Sequence, residues 1–169
     1  MKLIKMNEDN VDDIAKLEAK IYPMELCLGG VDYIADMYKY GRDNSFWYGI
    51  YKKRLIAYLI MYYDTFKKYI YVSDLVSTNS AATVMLLINL FNNFKGKLIE
   101  SECRPDCYKM IKKINEKYNI LEIKIEKLMP NYYCNKKDAY YLLCKIKHKE
   151  TKGIRKLKNN IEIRNSRVV

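Results

Sequence analysis

The stretch from Tyr69 to Phe94 constrains the fold more than any other part of the chain. YIYVSDLV, from Tyr69 to Val76, is rich in β-branched and aromatic residues and predicts a buried strand. STNSAAT follows, small and cap-forming, and Ser80 to Phe94 predicts a helix with Val84, Leu87, Ile88 and Phe91 on one face. Gly96 stands just past its end, the usual place for a helix stop. Lys97 to Glu102 predicts another strand. Strand, helix and strand in that succession make a right-handed crossover between parallel neighbours, so the chain falls in the α/β class.

The flanking segments are of another kind. Leu3 and Ile4 suit a short first strand. Val11, Ile14, Leu17 and Ile21 recur at helical spacing, with Asp12 and Asp13 in the first turn, where carboxylates favour the helix dipole. Pro23 closes that helix, and Val31, Ile34, Met37 and Tyr38 mark a second, closed by Gly41. Ser45–Tyr51 and Leu55–Tyr63, separated by Lys52, Lys53 and Arg54, read as an antiparallel hairpin. After the crossover, Pro105 opens a helix with Tyr108, Ile111, Ile114 and Tyr118 on its buried face. Leu121, Ile123 and Ile125 alternate with charged residues, as in a half-exposed strand, and Ala139 to Ile146 forms the last strand. The expected architecture is a mixed, mostly antiparallel twisted sheet with one central parallel β-α-β crossover and flanking helices, over residues 1–146.

Composition narrows the chemistry. At 169 residues the chain buries enough surface for a core without disulfides. No apolar run approaches a membrane span, and the N-terminus turns acidic where a signal peptide is apolar, so a cytoplasmic protein is expected. The five cysteines are odd in number and scattered, which reads as reduced thiols. Cys103, Cys107 and the lone His148 do not form paired ligand clusters, so no metal is expected, and His148 lacks the partners of a nucleophilic triad. The net charge is +11, of which residues 147–169 supply +6 through eight Lys/Arg against two Glu. That tail interleaves cations with isolated apolar residues and has no aromatics. It suits a phosphate-rich partner electrostatically but lacks stacking residues for single-stranded nucleic acid.

The element order resembles that of the GNAT acetyltransferase superfamily, from Leu3 to Ile146. IYVSDLV resembles the family's fourth strand; Leu86 and Leu87 resemble its paired leucines after the cofactor turn; PNYYCNKKDAYYLL resembles its late loop, with a tyrosine before the Asp-Ala that starts the last strand. The resemblance implies acetyl-coenzyme A as cofactor, its pantetheine on the backbone of Leu75 and Val76. Its pyrophosphate would lie on the turn and helix start formed by Ser77, Asn79, Ser80, Ala81, Ala82 and Thr83. Helix N-termini present unpaired N–H groups and the positive end of the dipole, which is why an anion fits there. The family marks this turn with Arg or Gln and glycines, and this chain has none of them there: it reads Ser77-Thr78-Asn79-Ser80-Ala81-Ala82-Thr83.

Acetyl transfer to an amine requires removal of an amine proton and a proton for the departing thiolate. The resemblance implies Glu102 and Asp74 as carboxylates flanking the cofactor, Tyr133 or Tyr108 as acid, and Glu25, Tyr132 and Tyr133 on the acceptor side. A stricter alignment places Ile111 where Tyr108 would be needed. The implied function is N-acyl transfer from acetyl-CoA to an amine on a small molecule, a protein or an aminoacyl-tRNA. The alternative is a catalytically inactive domain that binds nucleic acid or protein through Lys147–Arg167. No membrane partner is expected, and a homodimer is compatible with either reading.

Overall fold

The computed structural model describes residues 1–21, 31–41, 44–132, 137–147 and 155. Glu25 and Tyr133, and the tail beyond Lys147 apart from Arg155, lie outside the described residues. The chain divides into two compact units, 1–86 and 87–169.

The first unit is an antiparallel meander of four strands, β1 (Lys2–Lys5), β2 (Ser45–Tyr51), β3 (Leu55–Asp64) and β4 (Tyr69–Ser77). Two helices, α1 (Val11–Ile21) and α2 (Val31–Gly41), cover one face. Their apolar stripes explain this. Val11, Ile14 and Leu17 of α1 and Ile34 of α2 pack with Trp47, Tyr58, Ile60 and Val76 of the sheet. Trp47 is 2% exposed, and its ring meets Tyr38 edge to face at 5.3 Å between centroids.

Helix α3 (Ser80–Asn93) carries the chain from the first unit into the second. Its inward face differs from the expected one. The fully buried positions are Ala82, Thr83, Leu86, Leu90 and Phe91, whereas Val84, Leu87 and Ile88 are half-buried. The run Val84–Ile88 is apolar all round, so hydrophobic periodicity cannot choose its face. Gly96 has φ 74°, a left-handed value that glycine adopts freely, and its N–H donates to the Ile146 carbonyl at 2.9 Å.

In the second unit β7 (Ala139–Ile146) pairs antiparallel with both β5 (Leu98–Cys103) and β6 (Leu121–Met129). Helix α4 (Pro105–Tyr118) begins on the predicted proline and ends at Asn119, which is left-handed at φ 53°. Strand β6 runs further than its alternating pattern, and a bulge at Lys124 breaks that alternation. Ile125 is consequently 46% exposed. The chain is thus a mixed α/β protein, mostly antiparallel, with the predicted β4–α3–β5 succession at its centre. Among the described residues no helix is long and apolar enough to cross a membrane.

Candidate active site

Two features of β4 and α3 stand out, both in the first unit. The first is a bulge. Ile60 of β3 pairs with Asp74, but the next residue, Met61, pairs with Val72, so Ser73 is an extra residue in β4. In a regular strand adjacent side chains point to opposite faces. Here the bulge lets the Ser73 hydroxyl donate to Asp74 Oδ2 at 2.6 Å. Paired residues of antiparallel strands share a face, so Asp74 lies with Ile60 on the side covered by α1 and α2. Burial holds its carboxyl above the usual aspartate range, and the Ser73 hydrogen bond opposes that shift. Tyr62, two residues along β3, is pushed up to about 12, first by burial, then by the Asp74 and Tyr33 charges.

The same face holds a carboxylate the sequence reading missed. Glu18 of α1 is 2% exposed and accepts the hydroxyl of fully buried Tyr58. A signal was present: Glu18 follows Ile14 by four residues and so stands on the apolar stripe of α1.

The second feature is the start of α3. Asn79 caps the helix. Its Oδ1 accepts from the N–H groups of Ala81 at 2.9 Å and Ala82 at 3.2 Å, and its carbonyl accepts the Thr83 N–H at 3.0 Å. Ser77 Oγ accepts the Asn79 N–H at 3.1 Å. Thr78 ties the turn to β3, its N–H and hydroxyl both donating to the Ile56 carbonyl, at 2.9 and 3.0 Å. Ile56 is itself an extra residue in β3. The turn is thus held by side chains where the expected motif would use glycines. Two amides already converge on one acceptor oxygen, so the segment fits a phosphate oxygen once the Asn79 carboxamide gives up its place. Val76 is 2% exposed in the core, while Leu75 is half-buried.

The remaining candidates lie in the second unit. Glu102 is half-buried on β5. Tyr132 is 49% exposed, and its hydroxyl is raised by burial and then by the charge of Glu102, so these two are electrostatic neighbours. Tyr108 is 6% exposed, stacks on Tyr140 at 4.1 Å, and donates its hydroxyl to Glu126 of β6. Arg104 and Asp106 pair with one another at 2.7 Å.

Cys103 and Cys144 of this unit are quiet. Burial first, then neighbouring charges, push Cys103 up to about 12 and Cys144 up to about 11. Thiolate is the reactive species, so at pH 8 both carry well under ~1% of it. Iodoacetamide at pH 8 should leave Cys103 and Cys144 unlabelled in the folded protein and label both in urea, as read by peptide mass mapping. Rapid labelling of either in the native state would contradict their burial. Among the described residues no group of three or more His, Cys, Asp or Glu could hold a metal ion.

Comparison with known structures gives the geometry its context. No protein-family model matches the sequence. No curated protein matches it either. Solved structures do. A spermidine N-acetyltransferase SpeG chimera from Vibrio cholerae and hSSAT superposes with a TM-score of 0.65 at 11% identity, covering 94% of this chain and 98% of its own. The chain has the GNAT acetyltransferase fold. Aminoglycoside 6'-acetyltransferase type Ii (TM-score 0.59, 14% identity, 86% of this chain and 97% of its own) shares the GNAT fold. A GNAT-family acetyltransferase from Bacillus cereus does so too, with TM-score 0.58 and 13% identity over 86% of this chain and 96% of its own.

Proposed function

We propose that the protein is an N-acyltransferase that moves an acetyl group from acetyl-CoA to an amine, with Asp74 as the base. The observation that carries this reading is the bulge in β4, which turns a desolvated carboxyl onto the face beneath α1 and α2 in a chain with the GNAT fold. Bound acetyl-CoA would supply the activated acyl thioester. The chain's own groups supply the rest. The backbone of Leu75 and Val76 would pair with pantetheine amides, and the N–H groups of Ala81 and Ala82 would receive a phosphate oxygen in place of Asn79 Oδ1. As the C–N bond forms and the C–S bond breaks, Asp74 takes the amine proton. A carboxyl held above its usual range is a stronger base, and it works where pH is high enough to ionise it. Tyr133 is the proposed proton donor to the thiolate, because the Tyr108 hydroxyl is already donated to Glu126. Glu102, Tyr132, whose hydroxyl is raised by burial and then by the Glu102 charge, and Glu25 are proposed on the acceptor side.

The similar structures include enzymes for spermidine and aminoglycosides, so the first acceptors to test are cationic primary amines. Calorimetry of the folded protein with acetyl-CoA is the test, followed by thiol release with spermidine and an aminoglycoside. Saturable heat followed by thiol release on adding an amine supports the reading. No heat at high protein concentration removes it.

Asn79 gives a further prediction for this site. Losing an asparagine cap costs about 1 kcal/mol when the replacement is alanine and a few tenths when it is glycine. Phosphate must displace that cap, so N79G should bind coenzyme A about twofold more tightly, as about 1.4 kcal/mol is tenfold. Its urea midpoint should barely move. Weaker binding by N79G would show that the Asn79 side chain contacts the ligand instead of competing with it.

A further inference from the structure

We propose that Ser73, the extra residue of the β4 bulge, is a positioning residue that fixes the orientation and ionisation of Asp74. The inference rests on the reading of Asp74 as the base. Its geometry comes from the register. An unbroken β4 would set residues 73 and 74 on opposite faces, and the bulge is what brings the Ser73 hydroxyl within 2.6 Å of Asp74 Oδ2. A hydroxyl donating to one carboxylate oxygen fixes the rotation of that group and leaves the other oxygen to accept a proton.

The surroundings offer little else to stabilise the charge. Among the described residues, the ionisable groups on this face are Tyr51 of β2, Tyr58 and Tyr62 of β3, Tyr71 of β4, Tyr33 and Tyr38 of α2 and Glu18 of α1. Each is neutral or anionic when it titrates. Burial disfavours the ionised form of Asp74, and among the described residues Ser73 is the group that favours it. Without Ser73 the carboxyl would hold its proton to higher pH and rotate freely. With it, the group stays ionised over a wider range and aimed in one direction.

The test is a carbon-13 titration of the Asp74 side-chain carboxyl in the full chain, in wild type, S73A and S73T. Ser73 is half-buried, so neither variant should disturb the core. Loss of a hydrogen bond to a charged group should raise the Asp74 midpoint by about one pH unit in S73A. S73T, which keeps a hydroxyl and suits a strand, should titrate like wild type. An unmoved midpoint in S73A, or S73T behaving like S73A, overturns the inference. The acid limb of acyl transfer to spermidine, run on the same proteins, separates the two layers. A limb that follows the shifted midpoint supports both. A carboxyl that shifts while the limb stays put leaves the Ser73–Asp74 pair standing and removes Asp74 as the base.

Discussion

Replacing Asp74 by asparagine should lower acyl transfer by about 10²- to 10⁴-fold, the usual contribution of a positioned general base. Asparagine keeps the size of the side chain and an oxygen for the Ser73 hydroxyl to reach, so the bulge should survive. Stability should move the other way. Asp74 titrates above its ordinary 3.8 in the folded chain, so the native state binds its proton more tightly than the unfolded chain does. Stability from this group is present below the unfolded value and is lost as pH rises through the folded one. Above the folded titration the wild type carries the cost of an ionised, desolvated carboxylate, and below it the group keeps its proton; D74N carries neither the charge nor its pH dependence. The variant should therefore be at least as stable as wild type at pH 7, with the difference vanishing toward pH 3. Urea titrations at both pH values and thiol-release rates measure the two effects. A D74N protein that retains wild-type rates would remove Asp74 from the mechanism. One that is much less stable at pH 7 would show the carboxylate to be structural.

Trp47 should dominate stability. It is 2% exposed, packs edge to face on Tyr38, and lies opposite Ile60 in the sheet beneath α1 and α2. Truncating a buried tryptophan to alanine costs about 3–5 kcal/mol, through lost transfer energy and the cavity left behind. In a chain of this length that is about 6–20 °C in melting temperature. W47F should cost much less, for two reasons. It refills most of the space and preserves the ring contact with Tyr38. It also removes the indole Nε1, a buried donor with no hydrogen-bond partner among the described residues. Far-UV circular dichroism is the proper readout, since Trp47 is the single tryptophan and both variants abolish its fluorescence. A W47A loss under 1 kcal/mol would mean that α1 and α2 contribute little to the first unit.

The elements were largely legible in the sequence because each carried its own punctuation. Gly41 and Gly96 marked helix ends, Pro105 marked a helix start, and period-two or period-three patterns filled the intervals. What stayed hidden depended on pairing between distant segments. The bulge at Ser73 is a property of β3 and β4 together, and YIYVSDLV reads as an ordinary strand. The face of α3 was misjudged because its middle is apolar in every direction. The candidate site divided in the same way. Asp74 and the Ser77–Thr83 turn followed from the resemblance to the GNAT family. The convergence of two amides on Asn79, and the burial of Glu18 against Tyr58, required coordinates. A missing glycine motif looks like a loss in the sequence, whereas in the structure the turn has a different closure.

The central claim is that acetyl-CoA occupies the start of α3 in place of the Asn79 cap. An amide-proton titration with coenzyme A tests it most directly. The Ala81 and Ala82 resonances, now bonded to the Asn79 side chain, should show the largest saturable shifts, together with the Asn79 carboxamide released from them. Saturable binding that leaves Ala81, Ala82 and Asn79 unshifted would contradict the account.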